Sequence, residues 1–268
     1  MLKILNKIKF DEKDNRMSKV GATEEVIKNY QKGKNKNLDY LLSKRFSWMN
    51  HFIKDSDVGL EVGAGAGLSK KFILNKNLKI SDFSDHQHLD FKNVDAQKTS
   101  FEKGTFDYII SSNMLHHIPY PMKFFEETHR ILKKDGKLII EEVTCSLILQ
   151  LVTILMKHEG FDFTVDPWSK TKPVTDEKNV WSGNIAVTNL IFDNMELFEK
   201  KIGNLYKVEH HKNYECLIFL NSGGVCSTTF YIPLNNFFLR IIDKIDNLLT
   251  KAFPQIFATG RQIVLKKI

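Results

Sequence analysis

The sequence of 268 residues predicts an α/β fold with a doubly wound, mostly parallel sheet and helices on both faces. Between residues 55 and 145, strand-like and helix-like segments alternate at short intervals, which is the pattern of βαβ units. The first of these strands ends in glycines and leads into a helical run. Hydrophobic residues make up 42% of the chain and charged residues 26%, which excludes collagen-like, disordered and disulfide-scaffold proteins.

Each element follows from its local pattern. Apolar residues at three- and four-residue spacings predict helices at residues 38–53, 68–74, 122–132, 187–201 and 237–249. Short apolar runs bounded by polar residues or glycine predict strands at 58–62, 78–81, 91–94, 106–111, 137–143, 206–208, 214–220 and 262–265. Residues 159–185 are rich in Asp, Pro, Trp and Lys and are predicted to form a long loop, and such a loop in a compact domain is usually functional.

The charge of the chain is concentrated at its N-terminus. The net charge is +7, and residues 1–54 hold 13 Lys and Arg against 6 Asp and Glu, so the rest of the chain is balanced. Met1, Ile4, Leu5 and Ile8 fall on one helical face, as an interfacial helix requires. The segment is predicted either to make a peripheral contact with an anionic membrane or to be a solvated, lysine-rich leader.

Cysteine usage and apolar run length indicate a cytoplasmic protein. Cys145, Cys216 and Cys226 lie far apart, so the sequence offers neither a CxxC metal pair nor an even disulfide framework. The longest apolar stretch, residues 147–156, is half of the roughly 20 residues that a membrane span needs. The N-terminus lacks the cleavage site of a signal peptide. Contact with the inner membrane face would then be peripheral.

The strongest chemical signal is the segment from Glu61 to Gly67, which reads EVGAGAG. Glycines let the backbone turn sharply and approach a ligand, and the helix that follows offers free N–H groups. The spacing differs from the G-x-G-x-x-G fingerprint of dinucleotide sites and favours a cofactor without a pyrophosphate. Asp82 ends the second strand 21 residues after Glu61, where a carboxylate can accept both ribose hydroxyls, although that spacing suits NAD equally well.

Further sequence motifs distinguish a cofactor without a pyrophosphate from NAD. The segments EVGAGAG, the strand-end Asp82, VDAQ at 94–97, FDYIISSNMLHHIPYP at 106–121 and HRILKKDGKLIIEE at 129–142 resemble class I S-adenosylmethionine-dependent methyltransferases, in particular their small-molecule branch. The resemblance implies a Rossmann-like, mostly parallel seven-stranded sheet with helical additions at the N-terminus and in the C-terminal half. It also implies S-adenosyl-L-methionine as the cofactor. Residues 83–90 depart from the family, because they are too few for the helix that usually separates the second and third strands.

The resemblance also implies which residues bind the cofactor. The glycine loop would pass the methionine moiety, Asp82 would hold the ribose, Asp95 and Ala96 would frame the adenine, and two residues after the fourth strand would line the methionine end. The full set is Glu61, Gly63, Ala64, Gly65, Gly67, Asp82, Asp95, Ala96, Ser112 and Asn113. The chain then divides into a basic helical segment (1–54), a cofactor-binding half of the sheet (55–145) and the rest of the same domain with insertions that cover the acceptor (146–268).

His116 and His117 follow the fourth strand, at the edge of the sheet where ligands bind in such folds. Methyl transfer requires alignment and exclusion of water, and it requires a base only where the acceptor is a hydroxyl or a protonated amine. Histidine is the natural base for a hydroxyl, so we predict His117, and second His116, as catalytic residues. Packing of the loop before Pro119 is the alternative role. Metal-assisted transfer needs a carboxylate-rich ligand set that the sequence does not assemble, so no metal is predicted.

Contacts with the acceptor are predicted after the fifth strand and in the irregular region. Glu141 and Glu142 end that strand and, because side chains alternate, one of them would face the acceptor; we assign Glu142. Aromatic faces and carboxylates suited to a sugar or a planar ring follow at His158, Asp162, Trp168 and Trp181, although ordinary packing of the tryptophans is equally expected.

Together these features predict O-methyl transfer to a small acceptor or to one linked to a lipid or a nucleotide, with a saccharide hydroxyl in surface-glycan biosynthesis favoured. Methylation of a lipophilic ring such as a quinone precursor, and a non-catalytic methyltransferase-like binding subunit, remain alternatives. Adenine-N6 methylation is excluded, because the loop after the fourth strand reads SNML in place of an N/D-P-P-Y/F motif. Nucleic acid is a disfavoured partner, because only the N-terminal lysines would contact it.

Overall fold

The computed structural model describes residues 2–10, 23–33, 35–157, 159–179, 181–225 and 229–268. The strands in these ranges are β1 (Lys7–Lys9), β2 (Gly59–Val62), β3 (Leu78–Ile80), β4 (Phe106–Ser112), β5 (Leu132–Val143), β6 (Gly160–Asp162), β7 (Tyr206–Tyr214) and β8 (Gly260–Lys267). The helices are α1 (Thr23–Lys32), α2 (Lys36–Phe46), α3 (Pro121–Ile131), α4 (Leu147–Met156), α5 (Val187–Phe192), α6 (Met195–Ile202), α7 (Leu217–Leu220), α8 (Asn236–Ala252) and α9 (Pro254–Phe257). Single 3-10 turns occur at Ser47–Phe52, Leu68–Lys71 and Leu115–His117.

The central sheet has six strands in the order β3-β2-β4-β5-β8-β7. The first four are parallel, and β8 is antiparallel to both of its neighbours. The carboxyl ends of β2, β3, β4, β5 and β7 therefore lie at one edge, which we call the carboxyl edge. This arrangement confirms the predicted doubly wound α/β fold.

The predicted seventh strand is reduced to one bridge. Residues 91–94 contribute a single parallel pairing, between Ser81 and Phe91, beside β3. The eight residues before it form turns and bends in place of a covering helix. A connection this short holds the chain close to β3, where Asp90 and Phe91 both donate their backbone N–H to the carbonyl of Ile80.

Alternation along the strands builds one core on each face of the sheet. Ile109 of β4 packs with α3, α5 and α6, whereas the next residue, Ile110, packs on the opposite face with α2, α7 and α8. Leu138 and Ile139 of β5 divide in the same way. A third cluster, which includes Leu149 and Phe161, joins α4 to the β1–β6 pair.

Three predicted elements differ in the structure. The helix expected at 68–74 is one 3-10 turn, Leu68–Lys71. The helix expected at 187–201 is two helices, because Asn194 caps α6 by accepting a hydrogen bond from Leu197 N at 3.0 Å. The strand expected at 214–220 ends at Tyr214 and continues as α7, whose first backbone N–H groups donate to the buried carboxylate of Asp246.

The prediction of a helix across Ile4, Leu5 and Ile8 is wrong for the described residues. Residues 7–9 form β1, which pairs antiparallel with β6. Asn6 O accepts a hydrogen bond from Phe163 N at 2.9 Å, and Lys7 forms an ion pair with Asp162 at 2.5 Å. These contacts hold the segment extended against residues 160–163. Met1 and residues 11–22 lie outside the described residues.

Among the described helices, none combines the length and apolar character needed to cross a membrane. Cys145 and Cys216 are buried free thiols, and Cys226 lies outside the described residues.

Candidate functional site

The glycine loop at the end of β2 has a backbone that requires glycine. Gly63, Gly65 and Gly67 all have positive φ, at 66°, 49° and 65°, a region that other L-residues enter only with strain. A Cβ at Gly63 would lie 2.2 Å from Met114 Cγ, whereas a Cβ at Gly65 would meet no atom within 4 Å. The loop is therefore packed at its first glycine and open at its central one.

Glu61 lies in β2, beneath this loop. Its side chain is buried and accepts a hydrogen bond from Ser69 Oγ on the 3-10 turn that follows the loop. Burial raises the pKa of the Glu61 carboxyl to about 7, against the opposing effect of the Ser69 hydrogen bond. Glu61 thus ties the two sides of the loop together from the interior.

Asp82, directly after β3, connects to the loop from the side. Its Oδ2 accepts the backbone N–H of Gly65 at 2.9 Å, and its Oδ1 accepts the N–H and the hydroxyl of Ser84 at 3.0 and 2.8 Å. His88 Nε2 lies 2.7 Å from the carbonyl of Gly65. The predicted ribose carboxylate and the glycine loop are therefore in direct contact.

Asp95 and Ala96 lie next to this pair. Val94 N donates to the carbonyl of Asp82 at 2.8 Å, which places the two segments side by side. The half-exposed Asp95 accepts a hydrogen bond from Gln97 N at 2.9 Å, and Ala96 is buried. The structure thus groups the glycine loop, Asp82 and Asp95 at the carboxyl edge.

Ser112 and Asn113 are held by Glu141 at the end of β5. The Glu141 carboxylate accepts hydrogen bonds from Ser112 Oγ at 3.2 Å, Asn113 Nδ2 at 2.6 Å and Tyr214 Oη at 2.7 Å. Asn113 has a positive φ of 49°, and its N–H donates to the Glu141 carbonyl. Burial raises the pKa of Glu141 to about 7, against the charge of Arg45. Glu141 therefore orients the predicted methionine end from beneath.

Arg45 of α2 completes this network. Its guanidinium forms a two-pronged contact with Glu215, at 2.6 and 3.1 Å, and its Nε lies 4.0 Å from Glu141. All three side chains are buried. A buried charge network of this kind is costly to disrupt, because each lost partner leaves an uncompensated charge.

The two predicted catalytic histidines form a cluster with two glutamates. Glu142 accepts the N–H of Leu115 at 2.6 Å and contacts His116 Nδ1 at 2.7 Å. Glu159 lies on the other side, with its carboxylate oxygens 3.4 Å from His116 Nε2 and 3.5 Å from His117 Nε2. His116 is buried, and the side chain of His117 is 19% exposed. His117 is therefore the member of the cluster that faces solvent.

The two imidazoles have opposite proton states. Burial alone would lower the pKa of His116, but the charges of Glu142 and Glu159 outweigh burial and raise this pKa to about 10. Burial, reinforced by the charge of His116, lowers the pKa of His117 to about 4. Near neutral pH, His116 is a buried cation and His117 is a neutral imidazole that can accept a proton.

His116, His117 and Glu159 are also the one group within the described ranges that could hold a metal ion, with ligand atoms all within 4.8 Å of one another. A proton on His116 would place a positive charge between the two glutamates, and a divalent cation held by the same ligand atoms would do so equally.

The other predicted acceptor residues have partners within the chain. Glu142 is fully buried and orients His116, as described above. Asp162 accepts hydrogen bonds from Thr164 and pairs with Lys7. Trp168 packs edge-on against Phe198, with ring centroids 6.4 Å apart. These contacts turn Asp162 toward β1 and Trp168 toward the core.

Trp181 is half-buried and lies three residues before Asn184, whose N–H donates to the carbonyl of His116 at 2.9 Å. The loop that carries Trp181 is thereby attached to the histidine cluster. His158 lies outside the described residues.

The sequence analysis missed several residues of the site. Glu159 is 42 residues from His117 in sequence. Its backbone has a positive φ of 51°, which a glycine would have indicated but a glutamate does not. Arg45, Tyr214 and Glu215 reach the site from α2 and β7. Only the adjacency of Glu159 to His158 could have drawn attention to it.

These residues fit S-adenosylmethionine. Gly65 has open space above it, and Asp82 is half-exposed, so the loop backbone and the carboxylate are both accessible. A carboxylate has about four acceptor positions, of which Gly65 N, Ser84 N and Ser84 Oγ occupy three. To hold both ribose hydroxyls, Asp82 must release one of these donors, and the rotatable Ser84 hydroxyl is the easiest to release.

Comparison with known proteins supports the same family. Residues 60–140 match the family model of a methyltransferase domain. A highly reducing polyketide synthase of Pyrenophora dematioidea is 30% identical over 112 residues, which cover 32% of this chain and 4% of the synthase. An uncharacterized protein of Methanocaldococcus jannaschii is 25% identical over 162 residues, which cover 58% of this chain and 76% of that protein. The chain thus spans a small fraction of the synthase and three quarters of the archaeal protein.

The fold has a counterpart among solved structures. A SAM-dependent methyltransferase from Archaeoglobus fulgidus has a TM-score of 0.50 at 15% identity, covering 90% of this chain and 98% of that one. The matched domain and the shared fold confirm the predicted resemblance and its cofactor, S-adenosyl-L-methionine.

Proposed function

We propose that this chain, whose residues 60–140 match a methyltransferase domain, is an S-adenosylmethionine-dependent methyltransferase that methylates a hydroxyl of a saccharide carried on a lipid or a nucleotide, as in surface-glycan biosynthesis. The observation that carries the proposal is the neutral, partly exposed His117 with Glu159 behind it at the carboxyl edge. A hydroxyl is an acceptor that needs a base, and His117 is the neutral imidazole of the cluster.

The protein side of the reaction follows from the cluster. S-adenosylmethionine, when bound, supplies an electrophilic methyl group for an in-line displacement. His117 Nε2 faces the Glu159 carboxylate, which stabilises the imidazolium, so the proton of the attacking hydroxyl goes to Nδ1. Nδ1 is buried without a hydrogen-bond partner in this structure, so the acceptor must displace the groups that cover it. Thr175 Oγ1 donates to the His117 carbonyl at 3.0 Å and fixes the backbone of the base. His116, held between Glu142 and Glu159, keeps the second carboxylate in place.

Trp181 is the predicted acceptor residue that this arrangement supports best. Its loop is attached to the histidine cluster through Asn184. An aromatic residue in a loop attached to the cluster suits a sugar ring, since the apolar side of the ring can stack on it. Glu142 would contribute indirectly, by orienting His116.

The alternative acceptor, a lipophilic ring, needs an apolar pocket between residues 145 and 160. Cys145, Leu149 and Phe161 are buried in that region and pack against one another. Because the chain's own side chains fill this space, the saccharide hydroxyl is favoured over the ring.

The test combines a binding and a transfer measurement. Calorimetric titration with S-adenosylhomocysteine should give binding, and methyl transfer from labelled S-adenosylmethionine should be detected with nucleotide sugars or lipid-linked saccharides but not with phenolic rings. His117→Gln should lower turnover and leave S-adenosylhomocysteine affinity unchanged. Binding without transfer to any acceptor would favour the non-catalytic binding subunit, and transfer to phenols alone would replace the saccharide proposal.

A further inference from the structure

Helix α8 presents an apolar face to solvent. Phe237 and Leu248 are 67% and 70% exposed, and Phe238, Ile241 and Ile245 lie exposed between them on the same side of the helix. Leu239, Asp246 and Thr250 are buried on the opposite side, which packs on the protein. A surface helix in a globular protein normally turns its apolar face inward, so this helix has the reverse orientation.

The acidic and basic residues of α8 lie on different sides of the helix. Its two acidic residues point toward the protein: Asp243 pairs with Lys44, and Asp246 accepts the backbone N–H groups of Cys216 and Ile218 at 3.0 Å. The basic residues flank the exposed apolar face on one side of the helix, at Arg240, Lys244 and Lys251. The outward surface of α8 is therefore apolar with a basic border and no acidic residue.

The backbone before α8 is firmly held, although its side chains are exposed. Ile232 N donates to Asn221 Oδ1 at 2.7 Å, and Ile232 O accepts from Asn37 Nδ2 at 2.9 Å. The side chains of Phe230 and Ile232 nevertheless extend into solvent. These contacts fix the segment, so the exposed apolar side chains next to α8 are displayed by a fixed backbone.

A surface depression of about 420 Å³ lies along the other end of α8. It is lined by Lys212, Asn213, Asn247, Thr250, Lys251 and Pro254, a set with two lysines and no acid. Such a lining is complementary to a phosphate group. The apolar face and the basic depression lie on neighbouring parts of one helix.

We propose that α8 is an interfacial helix, which inserts its apolar face into the surface of a membrane containing anionic lipid. At 17 residues the helix is about 25 Å long and would lie in the plane of the interface. A second copy of this chain fits the face less well, because a two-fold contact would bring two basic borders together without an acid to pair them.

The location of α8 relates this surface to the methyl-transfer site. The Asp246 carboxylate clamps the residues directly after β7, and the end of β7 carries Tyr214, which donates to Glu141 beneath Asn113. The proposed membrane face is thus attached to the carboxyl edge. Membrane binding by α8 requires no methyl transfer. Only the suggestion that a lipid-linked acceptor is taken from the membrane rests on the proposed function.

The test is co-sedimentation of the full chain with vesicles made of equal parts phosphatidylcholine and phosphatidylglycerol, and with vesicles of phosphatidylcholine alone. Binding is expected to the mixed vesicles, to weaken with added salt, and to be much weaker on the neutral ones. The double variant Phe237→Ser with Leu248→Ser should bind the mixed vesicles with an affinity at least about tenfold lower than that of the parent, because two inserted side chains are lost.

The matched control is Leu74→Ser, because Leu74 is also 70% exposed but lies before β3, away from α8. It should bind as the parent does, and all variants should bind S-adenosylhomocysteine with equal affinity. Equal vesicle binding by the double variant and the parent would overturn the proposal. A second result would also overturn it. If the parent binds neither vesicle and forms a dimer in light scattering that the double variant does not form, the face is a self-association surface.

Discussion

At the scale of single residues, the site depends on how burial and neighbouring charge divide two adjacent histidines. His116 has a glutamate on each side and remains protonated, whereas His117 is desolvated next to that positive charge and remains neutral. A neutral imidazole is ready to accept a proton, and an imidazolium is not. The same geometry that removes His116 as a base makes His117 available.

The pH dependence of methyl transfer tests this assignment. Because burial lowers the pKa of His117 to about 4, the base is deprotonated above that value and is lost only as the pH falls through it. The activity ratio of the parent to His117→Gln should therefore be constant from roughly pH 6 to 8 and fall only near pH 4. Taking the ratio cancels the titration of Glu61 and Glu141, whose pKa values are raised to about 7. A midpoint near 6.5 would contradict the assignment.

The role of Asp82 is tested by Asp82→Asn, which preserves the shape of the side chain, although its single amide oxygen can accept from Gly65 N–H or from Ser84 N–H but not from both. Removing the charge should weaken S-adenosylhomocysteine binding by about 1–3 kcal/mol, because hydrogen bonds to charged acceptors are the stronger ones. Calorimetry measures the change. Asp85→Asn, an exposed acid three residues away, is the control. Unchanged affinity in Asp82→Asn would exclude Asp82 from the cofactor site.

At the scale of elements, two glycine variants of the loop distinguish the cost of backbone strain from the cost of side-chain overlap. Gly65→Ala places a Cβ in open space, so only the strain of positive φ applies, at about 1–2 kcal/mol. Gly63→Ala adds an overlap with Met114 at 2.2 Å, which should cost about 1–3 kcal/mol more. Chemical denaturation of the two variants should rank them in this order. Equal stability would show that the Met114 side chain moves aside freely.

The sequence predicted well those elements that local patterns define. The runs predicted at 58–62, 106–111 and 137–143 correspond to β2, β4 and the end of β5, because buried parallel strands are continuous apolar runs bounded by glycine or polar residues. The predictions were wrong for elements whose bounds depend on residues far away in the sequence. The end of β7 at Tyr214 is set by Asp246, more than thirty residues later in the chain, and no local pattern encodes that contact.

The site divides in the same way. The glycine loop, Asp82, Asp95 and the two histidines stand next to strand ends that the sequence reveals. Glu159 contacts His117 from the residue before β6, 42 positions later in the chain, so its role could not be predicted without the fold.

At the scale of the whole molecule, β1 near the start of the described residues is connected to His117, the proposed base. β1 pairs with β6, and the residue before β6 is Glu159, which contacts both histidines. On its far side, Gly160 O accepts a hydrogen bond from Ile185 N, next to the residue that holds the His116 carbonyl. Displacement of β1 should therefore move the base without disturbing the glycine loop.

Gly160→Ala tests this connection, because the added Cβ would lie 2.6 Å from the carbonyl of Ile8 and force β1 away. We expect faster hydrogen exchange in residues 7–9, a lower kcat and unchanged S-adenosylhomocysteine affinity, since Gly65 and Asp82 follow strands of the six-stranded sheet, whereas β1 and β6 form a separate two-stranded sheet. A chain that lacks residues 1–10 should show the same separation of turnover from affinity. If β1 exchanges faster while kcat is unchanged, Glu159 holds its position without β1, and the N-terminal strand has no part in positioning His117.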